Sequence, residues 1–204
     1  MISGIAAITV CLVPLGAHDA TLVGPVTRGI EHVYGFDVNV LPARDLPKAA
    51  WYPKGKRYRA EKILDYLDAE VAPAGGCDAI MGWTRVDVST TKGKIDDWGV
   101  LGLGRIGGPS AVVSSYRMRA RARATVVHRA VKTVNHELGH VLGLDHGAGA
   151  DGCVMDDARG TVRSVDRESG LLCPHERTAI EDKWHVTLPE RDHFDWAWVA
   201  DGPK

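Results

Sequence analysis

The chain has 204 residues, of which 45% are hydrophobic and 25% are charged. These proportions are typical of a soluble globular protein, and the length suits one domain with a sizeable core. Because 25 basic residues nearly balance 26 acidic ones, the overall charge gives no reason to expect nucleic acid as a partner. No segment is long and apolar enough to span a membrane, so we expect no membrane partner.

The N-terminal segment is apolar as far as Ala17. It lacks the basic start of a secretion signal, and Pro14 and Gly16 interrupt it where a strand would end and turn. We therefore interpret residues 5–15 as a buried first strand, with a signal peptide as the alternative. A helix over residues 19–34 and a strand over residues 36–40 are predicted next.

The middle of the chain alternates between helical and extended patterns. Apolar residues recur at helical spacing over residues 58–71. Three strands are then predicted, over residues 79–88, 98–103 and 110–116. This alternation predicts an α+β fold in which helices pack on a mixed sheet.

Three glycines, Gly102, Gly104 and Gly107, match the G-x-G-x-x-G pattern of dinucleotide-binding sites. That pattern requires a helix directly afterwards, whereas Pro109 and a β-branched run follow here. We interpret the glycines as a loop that leads into an edge strand.

The longest helical pattern covers residues 121–142 and contains His136, Glu137 and His140. Side chains four residues apart lie on one face of a helix, so the two histidines can bind the same metal ion. Glu137 is close to that face and is placed to act on a water molecule at the metal without being a ligand. We predict that Glu137 is the general base of a hydrolytic reaction.

Gly143 and His146 complete the eleven-residue pattern H-E-x-x-H-x-x-G-x-x-H. Glycine tolerates the positive φ that turns the chain back after a helix, and this turn places His146 as a third ligand. Three imidazoles leave one position open on a tetrahedral zinc ion, which is typical of a catalytic site. The alternative is a set of ordinary histidines on a helix surface.

Downstream, the chain reads Cys153-Val154-Met155, and Cys173 follows Met155 after seventeen residues. With the histidine motif, this segment resembles the archaemetzincins, a branch of the metzincin clan of zinc metalloproteases. The resemblance implies a metzincin-like domain over residues 1–204, with an upper lobe of about residues 1–143 and a smaller irregular lower lobe. It also implies a zinc cleft between the lobes, a methionine turn at Met155, and main-chain contacts to substrate from residues 112–115.

Two residues depart from the family pattern. Gly147 stands where the family has its first extra cysteine, and Glu176 stands where it has the fourth. Because Cys153 and Cys173 alone cannot complete a four-ligand site, we expect one zinc ion per chain. A second site that recruits His175, with Glu176 or Asp151, and a Cys153–Cys173 disulfide are the alternatives.

The remaining cysteines, Cys11 and Cys77, lie in or beside apolar runs and are predicted to be small buried hydrophobic residues. Four scattered cysteines do not form a secreted disulfide framework, so we expect a reducing, cytoplasmic location. A short helix is predicted over residues 175–184, and the aromatic tail after it is expected to pack back on the domain.

The sequence therefore predicts a monomeric zinc metallopeptidase that acts on a peptide or protein substrate. The alternative is a catalytically silent module that keeps the zinc site and holds a peptide. A purely structural zinc domain is disfavoured by the three-histidine pattern.

Overall fold

The computed structural model describes residues 8–147, 152–157 and 161–203. It has a mixed α+β architecture, as predicted. Among these residues, no helix is both long enough and apolar enough to cross a bilayer. In chain order the elements are β1 Thr9–Pro14, α1 Val23–Tyr34, β2 Asp37–Val40, β3 Trp51–Tyr52, β4 Arg57–Arg59, α2 Ala60–Glu70, β5 Ala79–Thr84, β6 Val88–Lys92, β7 Ile95–Val100, β8 Gly102–Gly104, β9 Ser110–Ser114, α3 Arg123–Leu142, α4 Val162–Val165, α5 Pro174–Trp184 and α6 Trp196–Asp201.

The larger sheet has five strands in the order β2-β1-β5-β9-β8. Its first four strands are parallel, and β8 pairs antiparallel with β9. The central strands are apolar on both faces because helices cover both sides. Val10 and Leu12 of β1 belong to a core shared with α1 and α3, whereas Val13 belongs to a core shared with α2.

The edge of this sheet is β8, which corrects the sequence-based assignment of residues 110–116. β9 lies inside the sheet, where Val112 pairs with Gly82 on one side and with Leu103 on the other. All five residues of β9 are buried, which is expected for a central strand. The predicted substrate contacts from residues 112–114 are therefore wrong, because β9 has no free edge, and Ser115 lies beyond the end of this strand.

A second, four-stranded sheet has the order β3-β4-β6-β7. The sequence prediction merged residues 79–88 into one strand and missed β6, because its polar run gives no clear apolar alternation. The β6–β7 hairpin turns at Gly93, which has a φ of 58°. Its register shifts between Thr90 and Lys92, as in a β-bulge.

Cys11 and Cys77 form a disulfide that joins β1 to the loop before β5, with a Cα separation of 5.6 Å. Cys11 is buried as predicted, but Cys77 is only half-buried, and neither is a separate small hydrophobic residue because their sulfur atoms are bonded. The partner of Cys11 is fixed by the parallel pairing of β1 with β5, which brings together residues 66 positions apart in sequence. Among the described residues no cysteine is free.

The C-terminal segment packs on the domain, as expected. The guanidinium of Arg28 on α1 donates to the carbonyl oxygens of Val199 and Ala200 at the end of α6. The Trp196 ring stacks on His128 of α3, with ring centroids 3.8 Å apart. These contacts hold the C-terminal segment against α1 and against α3, the helix that carries the histidine motif.

Candidate metal centre and active site

Helix α3 positions the first two histidines on the face that its apolar residues bury. His136 and His140 are 7% and 5% exposed. The Nδ1 atom of His136 lies 2.7 Å from the carbonyl oxygen of Val154, and that of His140 lies 2.8 Å from the carbonyl oxygen of Leu144. A carbonyl oxygen only accepts, so both rings carry their proton on Nδ1 and present a free lone pair on Nε2.

The third histidine is placed by the turn at the end of α3. Gly143 has a φ of 108°, the left-handed conformation predicted for it. Its N–H donates back to the last turn of the helix, and the chain then reverses so that His146 faces His140. The Nε2 atom of His146 lies 3.2 Å from that of His136 and 3.2 Å from that of His140.

These three nitrogens match a metal site better than a hydrogen-bonded cluster. His146 has at most one Nε2 proton, so it cannot donate to both neighbouring lone pairs at once. Two nitrogens bound to one tetrahedral zinc at about 2.0–2.1 Å would be roughly 3.3 Å apart. The observed separations agree with that value, so the residues present fit a zinc ion.

Burial keeps the imidazoles in the form that binds metals. Desolvation, reinforced by the neighbouring His140 and His146, lowers the pKa of His136 from 6.5 to about 3. Desolvation also lowers the pKa of His140. Because a metal ligand must be neutral imidazole, these shifts favour coordination at neutral pH.

Glu137 points from α3 towards the edge strand β8. It is 7% exposed, and burial raises the pKa of its carboxyl from 4.5 to about 8, although a hydrogen bond with the Gly104 backbone acts in the opposite direction. A Cβ added to Gly102 would lie 2.6 Å from the Glu137 side chain, and one added to Gly104 would lie 2.6 Å from the Glu137 carbonyl oxygen. The first two glycines of the G-x-G-x-x-G pattern therefore allow β8 to approach the helix closely.

The candidate metal centre opens into a cavity of about 320 Å³. Sequence reasoning found the histidines and Glu137 but missed most of its other walls, because they come from distant parts of the chain. Glu168, in one of these walls, carried no sequence signal, whereas the helical spacing of Thr133, four residues before Glu137, could have placed it on the same face. The missed lining residues include Thr90, Thr91, Lys92, Trp98, Leu101, Ile106, Thr133, Asp157, Val165 and Glu168.

Met155 is fully buried close to the histidine helix, and its thioether would clash with a Cβ at Gly139. The Gly147 N–H donates to the Met155 carbonyl oxygen at 3.0 Å, which connects the loop after His146 to this methionine. The contact explains why a glycine suits position 139 of α3. A methionine turn at Met155 stays a prediction.

Cys153 and Cys173 are bonded to each other, with Cα atoms 5.5 Å apart. Glu176 caps α5 by accepting from the Cys173 N–H at 2.8 Å, and its oxygen lies within 4.8 Å of both sulfur atoms. His175 does not belong to this cluster, and Asp151 lies outside the described residues. The described residues thus offer three donors at most, fewer than a closed structural zinc site uses.

Comparison with known proteins places this site in a family. The model of "Peptidase family M54" matches residues 45–181, which include the complete histidine motif. The chain belongs to family M54, the archaemetzincin family of zinc metalloproteases. The resemblance seen in the sequence is therefore confirmed.

Relatives of this M54 chain share most of its length. The archaemetzincin of Haloarcula marismortui is 31% identical over 171 residues, which cover 79% of this chain and 93% of the relative. The crystal structure of the Methanopyrus kandleri archaemetzincin matches with a TM-score of 0.78 and 28% identity, covering 91% of this chain and all of the other. The crystal structure of the Archaeoglobus fulgidus archaemetzincin, in complex with malonate, matches with a TM-score of 0.72 and 27% identity. The match covers 84% of this chain and 99% of the other.

Proposed function

We propose that this protein hydrolyses peptide bonds with one zinc ion held by His136, His140 and His146. Glu137 is the general base in this proposal. The observation that carries it is the convergence of three imidazole Nε2 atoms beside a buried carboxylic acid in one cavity. A zinc ion in such a site lowers the pKa of water to about 7 and polarises the carbonyl group that is attacked.

Glu137 moves the proton in this mechanism. Its carboxylate accepts the proton of the attacking water and then delivers it to the leaving amine. Burial raises the pKa of the Glu137 carboxyl, and a zinc ion held by the three histidines would favour the carboxylate form that accepts the proton. Because the Gly104 backbone hydrogen-bonds to it, the carboxylate has a fixed position before the substrate arrives.

The free edge of β8 supports a peptide as the substrate. β8 pairs only with β9 among the described strands, and its residues line the cavity beside the histidines. An extended peptide can add to such an edge through main-chain hydrogen bonds. We place the substrate there, in a cleft between residues 1–143 and the smaller C-terminal part of a single catalytic domain.

A peptide-library digestion tests this proposal. The purified protein is incubated with the library alone, with a chelator, and with the chelator followed by an excess of zinc. We expect cleavage that the chelator abolishes and zinc restores. A protein that binds zinc but cleaves nothing would instead be the catalytically silent peptide-binding module.

A further inference from the structure

Thr133 and Glu168 share the cavity of the metal centre but have no part in the mechanism above. Thr133 lies on α3, four residues before Glu137, so the two side chains are on the same helix face. Glu168 follows α4, in a part of the chain beyond all three histidines. Their exposures are only 4% and 5%.

Both residues carry an unsatisfied oxygen. Thr133 Oγ1 and Glu168 Oε1 are buried and have no hydrogen-bond partner among the described residues. A threonine inside a helix often donates to the carbonyl of the preceding turn, but Thr133 does not. Since buried oxygens are nearly always paired, two unpaired ones in one cavity point to a ligand that supplies the missing donors.

Lys132 precedes Thr133 in α3, and its ammonium is already engaged. Its ammonium donates to the main-chain oxygens of Val165 and Glu168 and lies 5.9 Å from the centre of the Trp196 ring. It therefore holds the segment after α4 against α3 and fixes the position of Glu168. None of these contacts gives Glu168 Oε1 a hydrogen-bond donor.

The charge around Glu168 favours a cation. Burial and the nearby carboxylates of Asp156 and Glu176 raise the pKa of Glu168 to about 8, although Lys132 acts in the opposite direction. Asp157 adds another acidic group to the cavity wall. Lys92 also lines the cavity. Near neutral pH the buried Glu168 is largely protonated, and a basic side chain beside it would favour its carboxylate form, whereas an acidic side chain would not.

We propose that Thr133 and Glu168 form the polar end of a pocket that selects a lysine or arginine side chain next to the scissile bond. The buried side chains of Leu101 and Val165 line the same cavity and suit the methylene stem of such a residue. Its charged end then supplies the hydrogen bonds that the two oxygens lack. This inference rests on the proposed function, whose substrate it narrows.

Binding and cleavage are measured separately to test the pocket. Zinc-loaded Glu137→Gln protein is titrated with peptides that differ only in having lysine, arginine, norleucine or glutamine beside the scissile bond, varied on each side in turn. When the varied residue is on one particular side of the scissile bond, we expect the lysine and arginine peptides to bind about 10-fold more tightly than the other two. The same order is expected for kcat/KM in the wild type.

In the Glu137→Gln protein, the additional substitution Glu168→Gln should abolish this preference for lysine and arginine. It should leave the affinity for the norleucine peptide unchanged. Glu31→Gln is the control, since this half-buried carboxyl lies on α1 outside the cavity lining, and it should keep the preference. Equal binding of all four peptides, or a preference that survives Glu168→Gln, overturns the proposal. If the wild type binds basic peptides selectively but cleaves none, only the proposed hydrolysis fails.

Two variants of Thr133 test the pocket independently, in case Glu168→Gln does not fold. Thr133→Val has nearly the same shape but no hydroxyl, and Thr133→Ser keeps the hydroxyl. We expect the valine variant to bind the lysine peptide several-fold more weakly and the serine variant to bind it normally. Identical behaviour of the two variants at unchanged zinc content removes Thr133 from the pocket.

Discussion

Glu137 and the histidines have different partners although they share one helix turn. The Nδ1 atoms of His136 and His140 are held by main-chain oxygens, and their Nε2 atoms face the third ring. Glu137 instead faces the glycines of β8. This division predicts that metal binding and proton transfer can be separated by mutation.

Glu137→Ala should keep its zinc and lose hydrolysis. Loss of a positioned general base typically costs on the order of 100-fold to 10,000-fold in rate. The measurements are kcat/KM on a cleaved peptide and zinc content by elemental analysis. Glu70→Ala, at the exposed end of α2, is the control and should match the wild type. Loss of zinc from Glu137→Ala, or wild-type turnover, would contradict the assigned role.

Glu168 should make folding stability depend on pH. Its pKa is about 8 in the folded chain, mainly because of burial, against an ordinary value of 4.5. At pH values between these two pKa values, Glu168 is protonated in the folded state and ionised in the unfolded state. Its contribution to the free energy of unfolding therefore falls as pH rises. Glu168→Gln should therefore be close to the wild type near pH 5 and more stable than it near pH 8.

Urea unfolding of both proteins at a series of pH values measures this difference. Comparison at each pH cancels the titration of the histidines, which both proteins share. A variant that is less stable than the wild type at both ends of the range would show that Glu168 is stabilised as a charged group.

At the level of elements, the end of α3 decides where His146, the proposed third ligand, lies. Gly143 takes a φ of 108°, which β-branched residues strongly resist. His146 reaches the other two rings only because the helix stops and reverses at this residue. Changing the turn should therefore act on zinc although it removes no ligand.

Gly143→Val should weaken zinc binding by at least 10-fold, which a competition titration with a coloured chelator measures. Gly75→Val is the control, because Gly75 also has a positive φ, of 75°, but has open space around it. That variant should lose stability and keep its zinc affinity. Lys183→Ala is tested as well, because a side chain at position 143 also meets the Lys183 ammonium. Unchanged affinity in Gly143→Val would refute the role of the turn.

At the scale of the whole molecule, two covalent links join distant segments: Cys11–Cys77 and Cys153–Cys173. The first joins β1 to the loop before β5, and the second joins the chain beside Met155 to the start of α5. A cytoplasmic location and a monomeric state stay predictions, and the disulfides weigh against a reducing compartment.

Cys77→Ser should lower the free energy of unfolding by about 2–4 kcal/mol, since the link constrains a long loop of the unfolded chain. Zinc content should not change, because neither cysteine lies in the metal cavity. Denaturant unfolding without reductant measures the loss, and non-reducing peptide mapping checks the bond. Free thiols at both positions in the native protein would contradict the disulfide.

Protein purified without added metal should contain one zinc ion per chain. Cys153 and Cys173 are bonded to each other, and Glu176 is the only further donor beside them among the described residues. Elemental analysis measures the number of zinc ions per chain. Two zinc ions, one of them lost when both cysteines are changed to serine, would show that the family's second site survives here.

The sequence by itself determined the features that depend on neighbours along the chain. The spacing of His136 and His140, the glycine that ends their helix, and the apolar periodicity are local, so they predicted α3, its turn and the metal site. The same holds for α1 and α2, whose predicted bounds differ from the observed ones by a few residues. The family resemblance rested on this local segment as well.

Only the tertiary structure decided which distant residues meet. The order of strands made β8 the edge and buried β9, because strand pairing is non-local and the apolar residues of β9 fit a central position. The same pairing joined Cys11 to Cys77. Glu168 lines the same cavity as Thr133, and Lys132 holds the segment after α4 against α3. No periodicity encodes such contacts, since each depends on segments that are far apart in sequence.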